Sequence, residues 1–217
     1  MSEIDLPRNG VIVFDLDDTL IAERQFVASG FRAIARHLGR PELAERLWEC
    51  YAGGDRDALG TVMRASGLAC DKSELLAVYR EHTPQLELAP GVRDLLQQLA
   101  DRGHPLGLIT DGRSVTQRNK LRALGLESRF DCIVISAEFG SEKPDERNFR
   151  HVMETLPAER YTYVGDNLHK DFIAPNRLGW LTICLLDQGE NIHTQDFSAA
   201  RPEQLPHLRI ARIAVSS

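Results

Sequence analysis

The stretch Val11-Ile12-Val13-Phe14-Asp15-Leu16-Asp17-Asp18-Thr19-Leu20 decides how the chain is read, because an apolar run there ends abruptly in acid. A β-rich apolar run of this length without alternation predicts a strand buried on both faces, the kind that parallel sheets contain. The acids then stand at its carboxyl end, where open α/β sheets bind their ligands. Asp15 and Asp17 are two residues apart, so continued extension leans both side chains to one side and turns Asp18 away. Two carboxylates held together repel by roughly 4 kcal/mol at ~4 Å and an effective dielectric of ~20. A bound cation offsets that repulsion; a polar turn after a strand is the other reading of the same residues. A calcium loop of the EF-hand type fails, since counting from Asp15 it needs Gly where Leu20 stands and Glu where Phe26 stands.

The rest of the chain bounds the setting. Its 217 residues, 42% hydrophobic and 27% charged, suit a soluble globular protein with a full core. A net charge of -6 and a pI near 5.7 indicate no overall attraction to nucleic acid or to an anionic membrane. Cys50, Cys70, Cys132 and Cys184 are scattered, with no CxxC pair, and read as reduced thiols and not as a zinc site or disulfide framework. Met1 to Asn9 is polar and lacks a signal-peptide core, and no later segment is long enough to span a bilayer. A cytoplasmic monomer or homodimer is the expectation.

Past the first strand the periodicity turns helical. Phe26, Phe31, Ile34 and Leu38 recur at helical spacing up to Gly39, followed by Leu43, Leu47 and Tyr51 up to Gly53-Gly54. Leu59, Val62 and Met63 predict a third helix ending at Gly67, and Asp71 with Glu74 a capping box opening a fourth. That is too much helix for a simple crossover, so residues 21–87 are expected to form an inserted α-helical domain. From Pro90 onward strands and helices alternate. Strands are predicted at 105–110, 132–136, 161–164 and 181–186, and helices at 92–102, 114–124, 144–156 and 171–178, the last starting near Ile173 because Pro175 is tolerable only in a first turn. A doubly wound parallel α/β sheet follows, with 1–20 and 88–217 as the core. The tail from 187 to 200 reads as loop, and 203–210 as a last short helix.

Three further strand ends carry polar residues. Thr110-Asp111-Gly112 precedes a helix, so a hydroxyl and free backbone N–H groups would meet there, as an anion site or simply as a helix cap. Lys143 lies just before a helix, against the macrodipole, which hints at a role beyond that of a surface lysine. Gly165-Asp166-Asn167-Leu168-His169-Lys170-Asp171 follows another buried strand.

Asp15-Leu16-Asp17-Asp18-Thr19, Thr110, Lys143 and Gly165-Asp166 through Asp171, in that order, resemble the four signature motifs of the haloacid dehalogenase superfamily, over residues 10–20 and 88–186. The helical block stands where members of that family with an α-helical cap insert it. The resemblance implies a Rossmann-like core and an Mg²⁺-dependent phosphatase acting on a small phosphorylated metabolite, a sugar phosphate or nucleoside monophosphate, with no nucleic acid polymer or membrane as partner. It implies Asp15 as the nucleophile that becomes phosphoaspartate and Asp17 as general acid and then base. Thr110, Asp111 and Lys143 would hold the phosphoryl group. Asp15, the Asp17 carbonyl and Asp166 would bind the Mg²⁺, with Asp171 and Asn167 supporting from behind. Asp17 argues for phosphate-ester hydrolysis, because dehalogenases and phosphonate-cleaving relatives lack it. A sugar-phosphate mutase and a non-catalytic phosphate-binding module stay open as alternatives. Glu23, Arg24, Phe26, Arg113 and Gln117 are candidates to touch the leaving group, and Glu190 to His193 could lie at the cleft mouth.

Overall fold

β1 (Val11–Phe14) forms where the apolar run begins, and parallel strands flank it on both sides. The structure, a computed structural model, describes residues 9–186 and 205–211. Ile12, Val13 and Phe14 stand opposite Leu106, Gly107 and Leu108 of β2 (Leu106–Thr110), while Val11 to Phe14 stand opposite Tyr161 to Val164 of β4 (Tyr161–Gly165). With β3 (Cys132–Ile135), β5 (Leu181–Leu185) and β6 (Leu208–Ala211) the sheet is six-stranded and parallel, in the order β3-β2-β1-β4-β5-β6. The doubly wound α/β expectation is met. Strand order reverses between β1 and β4, and the crevice outside the carboxyl ends at such a switch point is where ligands bind.

The unbroken apolar run of β1 has a direct cause. Ile12 and Phe14 pack in the cluster holding Leu96 and Leu99 of α5 (Val92–Asp101) and Leu121 of α6 (Ser114–Leu124). Val11 and Val13 pack on the other face, with Phe149 and Val152 of α8 (Glu146–Thr155) and Ala174 of α9 (Ile173–Arg177). Both faces of the strand are covered, and each such side chain contributes roughly 1.5–3 kcal/mol by leaving water.

Residues 23–81 carry α1 (Glu23–His37), α2 (Glu42–Ala52), α3 (Ala58–Ala65) and α4 (Lys72–Glu81), with an apolar cluster of their own around Phe31, Ile34, Leu43, Leu47 and Leu75. Gly39 and Gly67 sit at φ 64° and 61°, the left-handed conformation that stops a helix without strain in glycine. The two connections to the sheet run side by side: the Ala89 N–H donates to the Leu20 carbonyl at 2.9 Å, and the Gln25 amide bonds the Glu87 N–H at 2.8 Å and its carbonyl at 3.2 Å.

Several local expectations are corrected. Asp71 does cap α4, but it accepts from the Ser73 N–H, and Glu74 reaches across to His37 instead of closing a capping box. β3 ends one residue early, because Ser136–Phe139 turns into a short helix, α7. α8 begins at Glu146 behind an Asp145 cap, so Lys143 precedes the helix by a turn and does not sit on its N-terminus. The expected helix over 203–210 is wrong where it is described: Leu208 to Ala211 pairs in register with Thr182 to Leu185. The open N–H and C=O groups along the β5 edge outweigh local propensity there. The loop expected over 187–200, including Glu190 to His193, lies outside the described residues. Among the described residues no helix is long and apolar enough to cross a membrane.

Candidate active site

Asp15 is the first residue beyond β1 and is held there by the sheet, its N–H donating to the Val164 carbonyl at 2.9 Å. The chain then turns back on itself, with the N–H groups of Leu20 and Ile21 both donating to the Leu16 carbonyl. Asp18 adopts φ 55° in that turn, and its carboxylate accepts the Glu23 N–H at 2.8 Å, capping the start of α1. Its side chain thus anchors the helical block.

Lys143 reaches the same point from the β3–α8 connection. Its fully buried Nζ lies 2.7 Å from Asp15 Oδ1, 2.7 Å from Asp171 Oδ1 and 3.1 Å from the Tyr163 hydroxyl. Burial alone would lower the Lys143 pKa, but Asp15 and Asp171 outweigh it and hold the ammonium well above its ordinary value. Asp171 is pinned through its other oxygen, which accepts the N–H groups of Asp166 at 3.2 Å and Asn167 at 2.9 Å. Asn167 turns its side-chain oxygen to the His169 N–H, so it supports Asp171 through its main chain.

Charge makes this cluster a metal candidate. Carboxylate oxygens of Asp15, Asp166 and Asp171 lie within 4.8 Å of one another, and all three residues are buried. The Lys143 ammonium pairs with two of the three, Asp15 and Asp171. Burial, with Asp171 and Asp166 adding to it against the pull of Lys143, pushes the Asp15 carboxyl up to about 8. A cluster of carboxylate oxygens is the donor set that a hard divalent cation such as Mg²⁺ takes. The Asp17 carboxylate does not join this group.

Asp17 turns instead toward α6. Lys120 Nζ donates to both of its oxygens, at 2.7 and 2.8 Å, and Gln117 Nε2 donates to Oδ2 at 3.0 Å. The same Gln117 nitrogen donates to Thr110 Oγ1 at 2.6 Å, at the end of β2. Thr110 is buried. The Asp111 carboxylate accepts the Lys143 N–H at 3.1 Å and Lys170 Nζ at 3.2 Å, so it braces two loops, and any contact it makes with an anion runs through its main chain. The expectation of free N–H groups after Thr110 is corrected at Gly112, whose N–H donates to Ser136 Oγ at 2.9 Å.

Asp15, Asp17, Thr110, Asp111, Asp166 and Asn167 open on one cavity of about 100 Å³, with Glu23 entering from α1 and Lys170 from the loop after β4. The Glu23 carboxyl is pushed up by burial and by Asp17. Of the other candidates for the leaving group, Gln117 contacts Asp17, Phe26 lies beneath Lys120 with its ring centroid 4.5 Å from Nζ, Arg24 stacks over Trp48, and Arg113 is exposed. Lys120, Lys170 and Tyr163 went unrecognised in the sequence. The signal for Lys120 was there: Gln117 and Lys120 are polar positions on the helix face that buries Leu121 and Leu124, and a buried lysine needs a partner.

The profile of the haloacid dehalogenase-like hydrolases matches residues 12–184. A glyceraldehyde 3-phosphate phosphatase of Methanopyrus kandleri is 30% identical over 219 residues, covering 89% of this chain and 94% of its own. A phosphoserine phosphatase of Thermus thermophilus is 29% identical, covering 87% of this chain and 78% of its own. Among solved structures, the HAD-hydrolase YfnB of Bacillus subtilis, bound to magnesium, superposes with a TM-score of 0.61 at 26% identity, covering 82% of this chain and 89% of that one. Since the matched span runs from β1 to β5 and takes in every strand end that lines the cavity, the chain belongs to the haloacid dehalogenase-like hydrolases.

Proposed function

We propose that this protein is a phosphoric monoester hydrolase that cleaves a small phosphorylated metabolite through a phosphoaspartate on Asp15. The observation that carries the reading is the convergence of Asp15, Asp17, Thr110 and Asp166 on one small cavity with Lys143 behind Asp15. An Asp15 oxygen attacks phosphorus while Asp17 gives a proton to the departing alkoxide; Asp17 then takes a proton from the water that attacks the phosphoaspartate and frees phosphate. Thr110 and Lys143 hold phosphoryl oxygens, and Lys143 aims the Asp15 oxygen and pulls its carboxyl toward the anionic form against the effect of burial. Asp15, the Asp17 carbonyl and Asp166 would hold Mg²⁺, supported by Asp171 and Asn167. When bound, that ion supplies the positive charge that lets an anionic nucleophile meet an anionic ester.

The named activities of the relatives, on glyceraldehyde 3-phosphate, phosphoserine and phosphoglycolate, support a short phosphorylated substrate. A sugar phosphate or nucleoside monophosphate remains the wider class. Residues 21–87 serve as an α-helical cap on a core of 1–20 and 88–217, a division supported by the separate apolar cluster and the paired connections. The four cysteines are unpaired, Cys132 and Cys184 buried, which supports a cytoplasmic setting.

The test is phosphate release from a phosphomonoester panel with Mg²⁺, run on wild type, Asp15→Asn and Asp17→Asn. Wild type should turn over at least one short ester, Asp15→Asn none, and a beryllium fluoride adduct should form on Asp15. Folded wild type that releases no phosphate from the panel and forms no adduct would overturn the reading.

A further inference from the structure

Asp17 stands in an irregular turn, and what fixes its carboxylate comes from α6, about a hundred residues further along the chain. Lys120 Nζ reaches both oxygens, at 2.7 and 2.8 Å, with its side chain only 3% exposed. The ammonium also lies 4.5 Å from the centroid of the Phe26 ring, on the face of α1, a cation–π contact. Gln117, one turn earlier on α6, spends both hydrogens of a single amide nitrogen: one on Asp17 Oδ2 at 3.0 Å, one on Thr110 Oγ1 at 2.6 Å. One nitrogen atom thus sets the spacing between the two oxygens.

We propose that Lys120 and Gln117 are positioning residues that set the Asp17 carboxylate at the leaving-group oxygen, with Gln117 fixing its distance from the Thr110 hydroxyl. The inference rests on the reading of Asp17 as general acid. A purely structural ion pair would need neither the shared amide nitrogen nor a link to Thr110. Replacing such a pair's lysine with an apolar residue of similar volume, next to an aspartate that is 20% exposed, leaves the remaining carboxylate access to water. Lys120→Met is therefore expected to fold. Proton delivery matters for esters with poor leaving groups; p-nitrophenolate departs without it. The value of kcat/KM covers formation of the phosphoenzyme and release of the alcohol, so it reads this step apart from later hydrolysis.

The experiment compares kcat/KM for an alkyl phosphate that wild type turns over with kcat/KM for p-nitrophenyl phosphate. Positioned proton transfer contributes about 10²–10⁴-fold, so Lys120→Met should lose ~10-fold or more on the alkyl ester and less than ~3-fold on the aryl ester, while Gln117→Met, which also frees Thr110, should lose activity on both and several-fold more on the alkyl ester. Lys120→Arg should recover part of the alkyl activity. Equal losses on both esters, or no loss on either, would overturn the proposal, and Gln117→Met with Lys120→Arg decides it if Lys120→Met fails to fold by circular dichroism. Asp17→Asn is the separate arm: if it shows no alkyl-selective loss, the general-acid reading itself fails. If it shows that loss while the Lys120 and Gln117 variants do not, only the positioning role falls.

Discussion

Lys143 Nζ and Asp171 Oδ1 lie 2.7 Å apart with neither side chain open to solvent, and the same ammonium holds Asp15 at 2.7 Å. One cation therefore keeps two buried carboxylates from facing each other alone. Removing one partner of a buried pair leaves the other charge stranded. Lys143→Met should cost about 3–5 kcal/mol of stability in metal-free protein, measured by urea denaturation, and should abolish phosphate release. Mg²⁺ should restore part of the stability and none of the turnover. A loss below ~1 kcal/mol would show that Asp15 and Asp171 are held by groups other than Lys143.

Gly165 ends β4 directly against Asp171. A Cβ added there would come within 2.7 Å of Asp171 Oδ2, closer than such atoms approach, and within 3.0 Å of its Cγ. Asp171 has little room to yield, since it accepts from Lys143 and from the N–H groups of Asp166 and Asn167. Gly165→Ala should thus destabilise the protein by about 1–3 kcal/mol and displace the Asp171–Lys143 contact. Thermal unfolding and kcat together check this: an unchanged melting temperature with full kcat would mean the strand end shifts without cost.

What was legible in the sequence divides along a physical line. The strand ends at Asp15, Thr110 and Asp166 were readable because buried parallel strands leave an unbroken apolar run, and the polar residue after it announces the carboxyl end. The family resemblance implied Asp17 as the proton carrier, yet it did not point to that residue's partners. Lys120 meets it across about a hundred residues, a pairing that no local periodicity encodes, and only the oddity of a lysine on an apolar helix face pointed to it. Asp18 was expected only to turn away from Asp15 and Asp17, and its use as the anchor of α1 depends on a left-handed turn that the sequence does not spell out. β6 was misread because its short segment becomes a strand only when the β5 edge is beside it.

The carboxylate cluster makes a prediction about metal that needs no turnover. A ligand that binds only the folded state at 100 times its Kd adds about 2.7 kcal/mol of stability. Mg²⁺ at that excess should raise the melting temperature of wild type, and Asp166→Asn should largely remove the increment while leaving the metal-free protein folded. An equal shift in the variant would take Asp166 out of the ligand set.

His82 gives the helical block a pH dependence of its own. Its Nδ1–H donates to the Tyr79 carbonyl at 2.7 Å, and its Nε2 accepts from the Ser29 hydroxyl at 3.0 Å, while Ser29 Oγ in turn accepts the Gln85 N–H at 2.9 Å. Those bonds are satisfied by the neutral ring. Burial lowers the His82 pKa below its ordinary 6.5, and Arg32, Arg36 and Lys120 add to that against the bond to Tyr79. The unfolded chain then takes up a proton at a pH where the folded one does not, so stability is full above about 6.5 and is lost as the pH falls through that value toward the lowered folded pKa. His82→Gln keeps a donor and an acceptor without a titrating group. Unfolding followed through Trp48 in a Trp180→Phe background should show a fall in stability between about pH 7 and pH 5 that is shallower in the Gln variant. If the two slopes match, His82 does not carry the dependence.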